Sequence, residues 1–322
     1  MNSMIRRILA ATIALAASLA QAQNYPTKPI TLVVPYAAGG LTDQLAREVG
    51  VYMSDVLKQP VVVDNRPGGA AQIAVNFIKQ QPADGYAVLV GDVPSLATNV
   101  GLFKKLSYDP RKDLQAVTQL VVSPALVVVP TSSPYKTFEE LVNGARTKPG
   151  GLTYASQGVG TGGQLFGTLL SKQIGATMAH AAYRGSMPGL ADVMSGQVDF
   201  MYDAVPTSGA FVKSGKVRAL AIGSPQRSTQ FPQVPTLKEL GYEAIVPTFW
   251  WGVAVKAGTP PQIVERLQNV INDAMHSPAI AAKFTEQGVI IQTSSSKAFG
   301  AYIDSEINRW TKVMHEAGMQ AD

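Results

Sequence analysis

The sequence contains no cysteine, few histidines and little charge. None of its 322 residues is Cys and three are His, so disulfides, thiol nucleophiles and cysteine-ligated metals are excluded. Asp, Glu, Lys and Arg make up 15% of the chain, with a net charge of +5. No basic cluster and no interleaving of basic and aromatic residues occurs, so nucleic acid is not an expected partner. The sequence predicts neither a cofactor nor a metal site.

Apolar runs long enough to span a membrane are also missing, although a shorter one lies at the N-terminus. Arg6 and Arg7 precede the apolar residues 8–20, and Ala-Gln-Ala follows at 20–22. This order is typical of a secretory signal peptide, and the run is shorter than the roughly 20 residues of a membrane span. We predict a signal peptide over residues 1–22, cleavage after Ala22 and a periplasmic protein. An uncleaved membrane anchor is the alternative.

Recognisable catalytic constellations are absent from the sequence. No H-E-x-x-H, G-x-S-x-G or S-x-x-K pattern occurs, and His180, His276 and His315 stand apart along the chain. Asp199 and Asp203 lie at the two ends of one predicted strand, where Asp203 at the carboxyl end is placed to contact a ligand. No nucleophile can be paired with a base, which argues against an exported α/β hydrolase.

Ten short apolar segments alternate with helical patterns, which predicts an α/β fold of mostly parallel sheets with flanking helices. The apolar run over residues 114–130 is interrupted by Ser123-Pro124. Because proline removes a ladder hydrogen bond, we expect two strands meeting at a crossing between lobes. Prolines between 223 and 251 indicate a return crossing. The first lobe is then residues 23–123 with 249–322, the second is 124–248, and the two crossings form a hinge.

Four turns of small residues follow predicted strands. They are residues 37–40, 65–71, 158–163 and 184–188. Ligands of open α/β sheets bind at the carboxyl ends of strands, and the start of a helix after a small-residue turn can hold an anion with main-chain N–H groups. One such turn is ordinary loop geometry, but four together favour a ligand-binding cleft. The first, Ala37 to Gly40, is a candidate anion cradle.

The third turn also spells G-x-G-x-x-G over residues 158–163. Between a strand and a helix this resembles a dinucleotide fingerprint, with Arg184 as a candidate for a 2′-phosphate. The turn lies in the middle of the chain, however, whereas the fingerprint belongs in the first βα unit. The alternative is that Thr161 and the glycine N–H groups bind a smaller anion.

Aromatic residues are few, but three of them are consecutive. Phe249, Trp250 and Trp251 lie at the predicted return crossing, and Tyr36 precedes the first glycine pair. They form either a packed core or the walls of the cleft, where an indole or phenyl ring would contact the ligand.

Several motifs, in order along the mature chain, resemble the Bug-type solute-binding proteins of the tripartite tricarboxylate transporters. They are Tyr25-Pro-Thr-Lys-Pro-Ile30, Val34-Pro-Tyr-Ala-Ala-Gly-Gly40 with Asp43 and Arg47, Asn65-Arg-Pro-Gly-Gly69, Pro82-Ala-Asp-Gly-Tyr86, Gly160-Thr161, Tyr183-Arg-Gly185, Gly196-Gln-Val-Asp199, Val217-Arg-Ala-Leu-Ala221, Val234-Pro-Thr236 and Gly258-Thr-Pro260. The resemblance implies a two-lobed periplasmic binding protein fold of type II, which is not an enzyme and captures small carboxylates for a membrane transporter.

The resemblance also implies a site made of main-chain groups, at residues 38–42 in one lobe and 160–164 in the other. Where the family often has His and Lys, this chain has Gln164 and Arg184. Gln164 lacks a titratable charge, and Arg184 offers a planar fork suited to a carboxylate. The predicted ligand-binding residues are Tyr36, Ala38, Gly39, Gly40, Thr42, Ser95, Gly160, Thr161, Gly162, Gln164, Arg184, Asp203 and Trp250.

The function expected from these features is capture of a small mono- or dicarboxylate, aliphatic or aromatic, between two closing lobes. The expected partners are the integral membrane subunits of a transporter, and the protein is expected to be a monomer. Docking of the liganded protein on a sensor's periplasmic domain is the alternative that the sequence leaves open.

Overall fold

The computed structural model describes residues 25–247 and 249–321. The predicted signal peptide lies outside the described residues. Eleven strands are found within the described part of the chain. They are β1 (Ile30–Val34), β2 (Val61–Asn65), β3 (Ala87–Asp92), β4 (Leu114–Ser123), β5 (Ala125–Pro130), β6 (Leu152–Ser156), β7 (Met178–Ala182), β8 (Phe200–Ala204), β9 (Val217–Gly223), β10 (Phe249–Lys256) and β11 (Ile290–Ile291).

The α-helices of the same residues occupy most of the connections between strands. They are α1 (Leu41–Leu57), α2 (Gln72–Gln80), α3 (Asn99–Leu102), α4 (Pro110–Asp113), α5 (Phe138–Thr147), α6 (Gly162–Ile174), α7 (Ser186–Ser195), α8 (Val205–Lys213), α9 (Pro261–His276), α10 (Pro278–Glu286) and α11 (Ser296–Ala317). Short 3₁₀ helices cover Gly69–Ala71 and Glu243–Ile245, and one π-helical turn covers Pro94–Thr98.

The strands form two sheets, one in each of two lobes. The first has the order β11-β4-β10-β3-β1-β2, and the second has the order β7-β6-β8-β5-β9. Strands of the first sheet therefore come from residues 30–123 and 249–291, and those of the second from 125–223. The predicted alternation of strands and helices in an α/β fold is confirmed. The exact bounds of the two lobes stay a prediction.

Both sheets are mixed, whereas the sequence predicts mostly parallel ones. β1 pairs parallel with β2 and β3, and β6 pairs parallel with β7 and β8. β10 runs antiparallel to β3 and β4, and β5 runs antiparallel to β8 and β9. The antiparallel pairs arise at the crossings, because the strands that enter and leave a lobe oppose its βαβ units.

The break between β4 and β5 lies at Ser123 and Pro124, as predicted. Pro124 has no N–H to continue a ladder, and its carbonyl accepts a hydrogen bond from the Val205 main-chain N at 3.0 Å. One strand thus passes into the other lobe without an intervening helix. The return passes through residues 224–248, of which 248 is not described.

Helices cover both faces of the first sheet, which explains its nearly continuous apolar strands. In β1, Leu32 and Val34 pack in one hydrophobic cluster with α1 and α9, whereas Val33 packs in another with α2 and α11. The alternation follows from the two-residue period of a strand.

No helix of the described chain is long and apolar enough to cross a bilayer.

Candidate functional site

A cavity with an empty volume of about 540 Å³, part of it open to solvent, lies between the two lobes. Its walls are the residues that follow β1, β6 and β7, the end of β3, the end of β8, and the start of β10. The carboxyl ends of parallel strands from both sheets therefore face one another across this space, which is where α/β folds bind ligands.

Four helices begin at the cavity, two of them in the turns predicted to bind an anion. The N-cap residues of α1, α6, α7 and α8 are Gly40, Thr161, Gly185 and Ala204, and all four line the cavity. None of these four residues makes a side-chain capping hydrogen bond. The positive dipole ends of four helices are thus directed at one space. In α8 the Val205 N–H already donates to Pro124 and Pro206 has no N–H, so the free first-turn N–H groups belong mainly to α1, α6 and α7.

The first turn is held in place by Asp43. Its Oδ2 accepts from the Gly39 main-chain N at 3.0 Å and from Arg47 Nε at 2.9 Å, and its Oδ1 accepts from Asn65 Nδ2 at 3.0 Å. Burial acts to raise the pKa of Asp43, but the hydrogen bonds from Arg47, Gly39 and Asn65 outweigh it, and the pKa is lowered. Asp43 and Arg47 form an ion pair that shapes the cradle.

Asp92 contributes a buried carboxyl group to the cavity wall at the end of β3. Its Oδ2 accepts from the Tyr36 hydroxyl at 2.6 Å, and its Oδ1 accepts from Ser95 Oγ at 3.0 Å. Burial raises the pKa of Asp92 to about 6, although the hydrogen bonds from Tyr36 and Ser95 act to lower it. Ser95 supports Asp92 from behind and does not itself line the cavity.

Asp203 is the corresponding buried carboxyl group of the second lobe, and no part of its surface is exposed. Its Oδ1 accepts from Ser186 Oγ at 2.6 Å and from Gln157 Nε2 at 2.7 Å, and its Oδ2 accepts from the Thr207 hydroxyl. Burial raises the pKa of Asp203, and these three hydrogen bonds offset only part of the effect. Asp203 therefore ties together the starts of α7 and α8.

Aromatic rings close the cavity on the side of β10. The Trp251 indole donates to Thr42 Oγ1 at 2.8 Å, and the Phe249 ring lies between Trp251 and Gly162. Trp250 lines the cavity too, but its indole donates to Glu306 Oε2 at 2.9 Å, on the opposite face of the sheet. The ring of Trp251, not that of Trp250, therefore faces the ligand space, as the alternation along a strand requires.

The structure brings together about half of the predicted site residues. Those that line the cavity are Tyr36, Gly40, Thr42, Thr161, Gly162, Asp203 and Trp250. Ala38, Gly39, Ser95, Gly160, Gln164 and Arg184 do not line it.

Most of these outer residues shape the turns or the contact between lobes. Gln164 Oε1 accepts from the Gly160 N at 2.7 Å, so it fixes the turn before α6. The Gly160 carbonyl accepts from Thr98 Oγ1 of the other lobe at 2.7 Å. The Arg184 side chain is exposed, but its carbonyl accepts from the Ala37 N at 3.3 Å, again between lobes.

Among the cavity residues outside the predicted ligand-binding set, five have side chains that can form hydrogen bonds. They are Asp92, Gln157, Ser186, Thr207 and Trp251. Asp92 stands at the carboxyl end of β3, the position at which the four small-residue turns were found. Its turn has no glycine pair, however, and glycine was the feature used to find the others. Asp92 would have been found by examining the residues at the carboxyl end of every predicted strand, whether or not a glycine pair follows.

Comparison with known proteins gives one family over most of the chain. Residues 45–319 match the model described as the tripartite tricarboxylate transporter family receptor. Protein BugT of Bordetella pertussis is 33% identical over 312 residues, covering 97% of this chain and 95% of that protein.

Solved structures agree in fold. The periplasmic binding protein BugD is 27% identical, with a TM-score of 0.86 over 92% of this chain and 100% of that one. Rpa4515 of R. palustris, solved with adipate, is 32% identical, with a TM-score of 0.88 and the same coverage. MatC of Rhodopseudomonas palustris, solved with malate, is 28% identical, with a TM-score of 0.84 over 90% and 99% of the two chains.

These relatives confirm the type II periplasmic binding protein fold and the resemblance drawn from the sequence motifs. They are substrate-binding proteins and not enzymes, so the hydrolase alternative is wrong. The chain belongs to the tripartite tricarboxylate transporter receptor family, as a Bug-type solute-binding protein.

Proposed function

We propose that this protein captures a small mono- or dicarboxylate in the cavity between its lobes and delivers it to the membrane subunits of a tripartite tricarboxylate-type transporter. The observation that carries the proposal is the convergence of four uncapped helix starts, from both lobes, on one cavity. We place the protein in the periplasm, exported by the segment at residues 1–22.

The chemistry of the helix starts suits a carboxylate. Each helix start is equivalent to about half a positive charge, and its N–H groups donate to an anion without adding a mobile cationic side chain. A buried carboxylate needs such donors, because an unpaired charge in the interior is costly. Thr42, in the first turn of α1, adds a hydroxyl, since its oxygen already accepts from Trp251 and its hydrogen can be donated.

Two related structures support a carboxylate as the ligand class. Rpa4515 was solved with adipate and MatC with malate, and each superposes on at least nine-tenths of this chain. Both molecules are dicarboxylates of low molecular weight.

Capture also requires that the lobes close, and we propose that they rotate about the two crossings at residues 123–124 and 224–248. Hydrogen bonds from Thr98 to Gly160 and from Ala37 to Arg184 join the two lobes beside the cavity. A ligand that contacts helix starts of both lobes binds the closed state more tightly than the open one, and it shifts the equilibrium by that difference.

Isothermal titration of the purified mature protein tests the proposal. The panel contains aliphatic and aromatic mono- and dicarboxylates, with a neutral sugar and an aliphatic amine as controls. We expect micromolar or tighter binding of at least one carboxylate and none of the controls. Tight binding of a control, with no binding across the carboxylates, would contradict the proposal.

A further inference from the structure

The side chains around the cavity carry no positive charge. No Lys, Arg or His lines the cavity in the described part of the chain, whereas Asp92 and Asp203 do, one from each lobe. The ion pair of Asp43 and Arg47 lies outside the lining. Two carboxyl groups without cationic partners therefore border the ligand space, and the positive ends of helices are the attraction available to an anion.

The polar side chains of the lining have also committed their hydrogens within the protein. The hydroxyls of Ser186 and Thr207 donate to Asp203, and the Tyr36 hydroxyl donates to Asp92. Gln157 Nε2 donates to Asp203 and to the Tyr202 carbonyl. Because a hydroxyl has a single hydrogen, each of these oxygens keeps only lone pairs for a ligand.

Thr161 follows the same pattern, and Thr42 is the exception. Thr161 Oγ1 donates to the Gly158 carbonyl at 2.7 Å, whereas Thr42 Oγ1 accepts from Trp251 and keeps its hydrogen. The cavity thus divides into two kinds of surface. One surface offers hydrogen-bond donors, which are the main-chain N–H groups at the helix starts and the Thr42 hydroxyl. The other offers acceptors, which are Asp92, Asp203 and the side chains hydrogen-bonded to them.

This division discriminates between kinds of carboxylate. One carboxylate group can take the main-chain donors, but a second one would meet acceptor oxygens in place of donors, which disfavours it. An ammonium group supplies three donors and the opposite charge. The rings of Tyr36, Phe249 and Trp251 on the same walls suit a cation as well.

We propose that the ligand is an amino carboxylate, whose carboxylate binds the helix starts and whose ammonium group is selected by Asp203 and Asp92. This inference rests on the proposed function, since it takes the interlobe cavity to be a carboxylate site. Asp203 and Asp92 are then the residues that determine specificity against simple diacids.

A chain-matched panel tests the inference by isothermal titration of the full mature protein. For skeletons of four and six carbons, the panel holds the simple acid, the diacid, the hydroxy acid, and amino acids with the ammonium group next to or far from the carboxylate. We expect an amino acid to bind at least tenfold tighter than the diacid and the hydroxy acid of its length. A diacid or hydroxy acid that binds as tightly overturns the inference, but leaves carboxylate capture intact. No carboxylate binding at all overturns both.

Single substitutions test which side chains select the ammonium group. Asp203→Asn should weaken the amino acid at least tenfold while the simple acid changes less than threefold. Asp199→Asn is the matched control, because Asp199 immediately precedes β8, outside the cavity lining, and accepts hydrogen bonds from Lys148 and Thr153. It should change neither ligand. If Asp203→Asn does not fold by circular dichroism, Asp92→Asn provides the same comparison. Equal weakening of both ligands by a folded variant overturns the inference.

Discussion

At the scale of single residues, Asp92 is a buried acid whose hydrogen-bond partners are the hydroxyls of Tyr36 and Ser95. Burial raises its pKa to about 6, so the folded protein holds a proton that the unfolded chain releases near pH 4. Between those two pKa values the free energy of unfolding falls as the pH rises. Above pH 6 the folded protein bears the full cost of ionising the buried Asp92. It amounts to roughly 3 kcal/mol, at about 1.4 kcal/mol for each pKa unit.

Asp92→Asn removes this titration and should flatten the pH dependence. Asparagine still accepts from Tyr36, so the variant should gain stability relative to the wild type between pH 4 and pH 7. Urea unfolding of both ligand-free proteins at several pH values measures the difference. A constant difference across this range would show that Asp92 does not carry a raised pKa.

Gly162 is a second residue whose identity the cavity depends on. A Cβ atom there would lie 2.6 Å from Cε2 of Phe249, so Gly162→Ala must displace the ring. Phe249 is packed against Tyr202 and Trp251, and the free direction is into the cavity. A ring displaced into the cavity occupies ligand space, so we expect a loss of affinity of about tenfold or more, besides an overpacking cost of about 1–3 kcal/mol in stability.

The matched control for this substitution is Gly300→Ala in α11. The added methyl group would lie 3.9 Å from the Ala116 Cβ, an ordinary contact. This variant should bind carboxylates normally and gain up to about 1 kcal/mol of stability, as Gly to Ala changes in helices do. Isothermal titration compares the two variants, and normal affinity in Gly162→Ala would contradict the assigned position of Phe249.

At the scale of elements, the four uncapped helix starts are the central feature, and α1 offers the clearest test. Gly40 has extended backbone angles and no atom within 4 Å of a built Cβ, so Gly40→Asp should cap α1 with its own carboxylate. An N-cap aspartate stabilises a helix by roughly a few tenths of a kcal/mol relative to glycine. We expect higher stability together with at least about a tenfold loss of ligand affinity, because the attached anion occupies the ligand's donors.

Ser277→Asp serves as the control at another uncapped helix, α10, away from the cavity. It should bind the ligand with the affinity of the wild type. Melting temperatures and titration calorimetry measure both effects. If Gly40→Asp binds ligand as the wild type does, the start of α1 is not part of the site.

The sequence predicted most of these elements for physical reasons that can be named. Apolar strands separated by helical patterns identified ten of the strands, and small-residue turns located the starts of α1, α6 and α7. The start of α8 was missed, because Val205–Lys213 contains Pro206, Ser208 and Gly209 and shows a weak helical pattern. That helix supplies Thr207, a partner of Asp203.

Side-chain direction was the part that the sequence could not provide. Trp250 and Trp251 are neighbours in β10 and both are buried, so composition does not tell which ring faces the cavity. The register of β10 within the sheet determines which of the two rings faces the cavity. Arg184 is similar, because its place in a ligand turn suggested an anion contact, but its side chain is exposed.

At the scale of the whole molecule, the proposed function depends on closure of the two lobes. Thr98 Oγ1 donates to the Gly160 carbonyl across the cleft, and such a bond contributes about 1 kcal/mol. Thr98→Val removes it with little change in shape. We expect the variant to open more and to bind ligand several-fold more weakly, since 1.4 kcal/mol corresponds to tenfold.

Small-angle X-ray scattering measures this closure. In the wild type the radius of gyration should fall when saturating ligand is added, and ligand-free Thr98→Val should be larger than ligand-free wild type. Thr168→Val is the control, because the Thr168 hydroxyl bonds Tyr154 within the second lobe. A radius of gyration that does not respond to ligand would contradict closure.

The central claim is that main-chain groups at helix starts of both lobes hold the ligand's carboxylate. A crystal structure of the mature protein with its tightest-binding carboxylate tests this claim most directly. The account predicts carboxylate oxygens within 2.7–3.2 Å of main-chain nitrogens at the starts of α1 and α6, beside Thr42 and Thr161. A ligand carboxylate held by the guanidinium of Arg184, or bound outside the interlobe cavity, would contradict it.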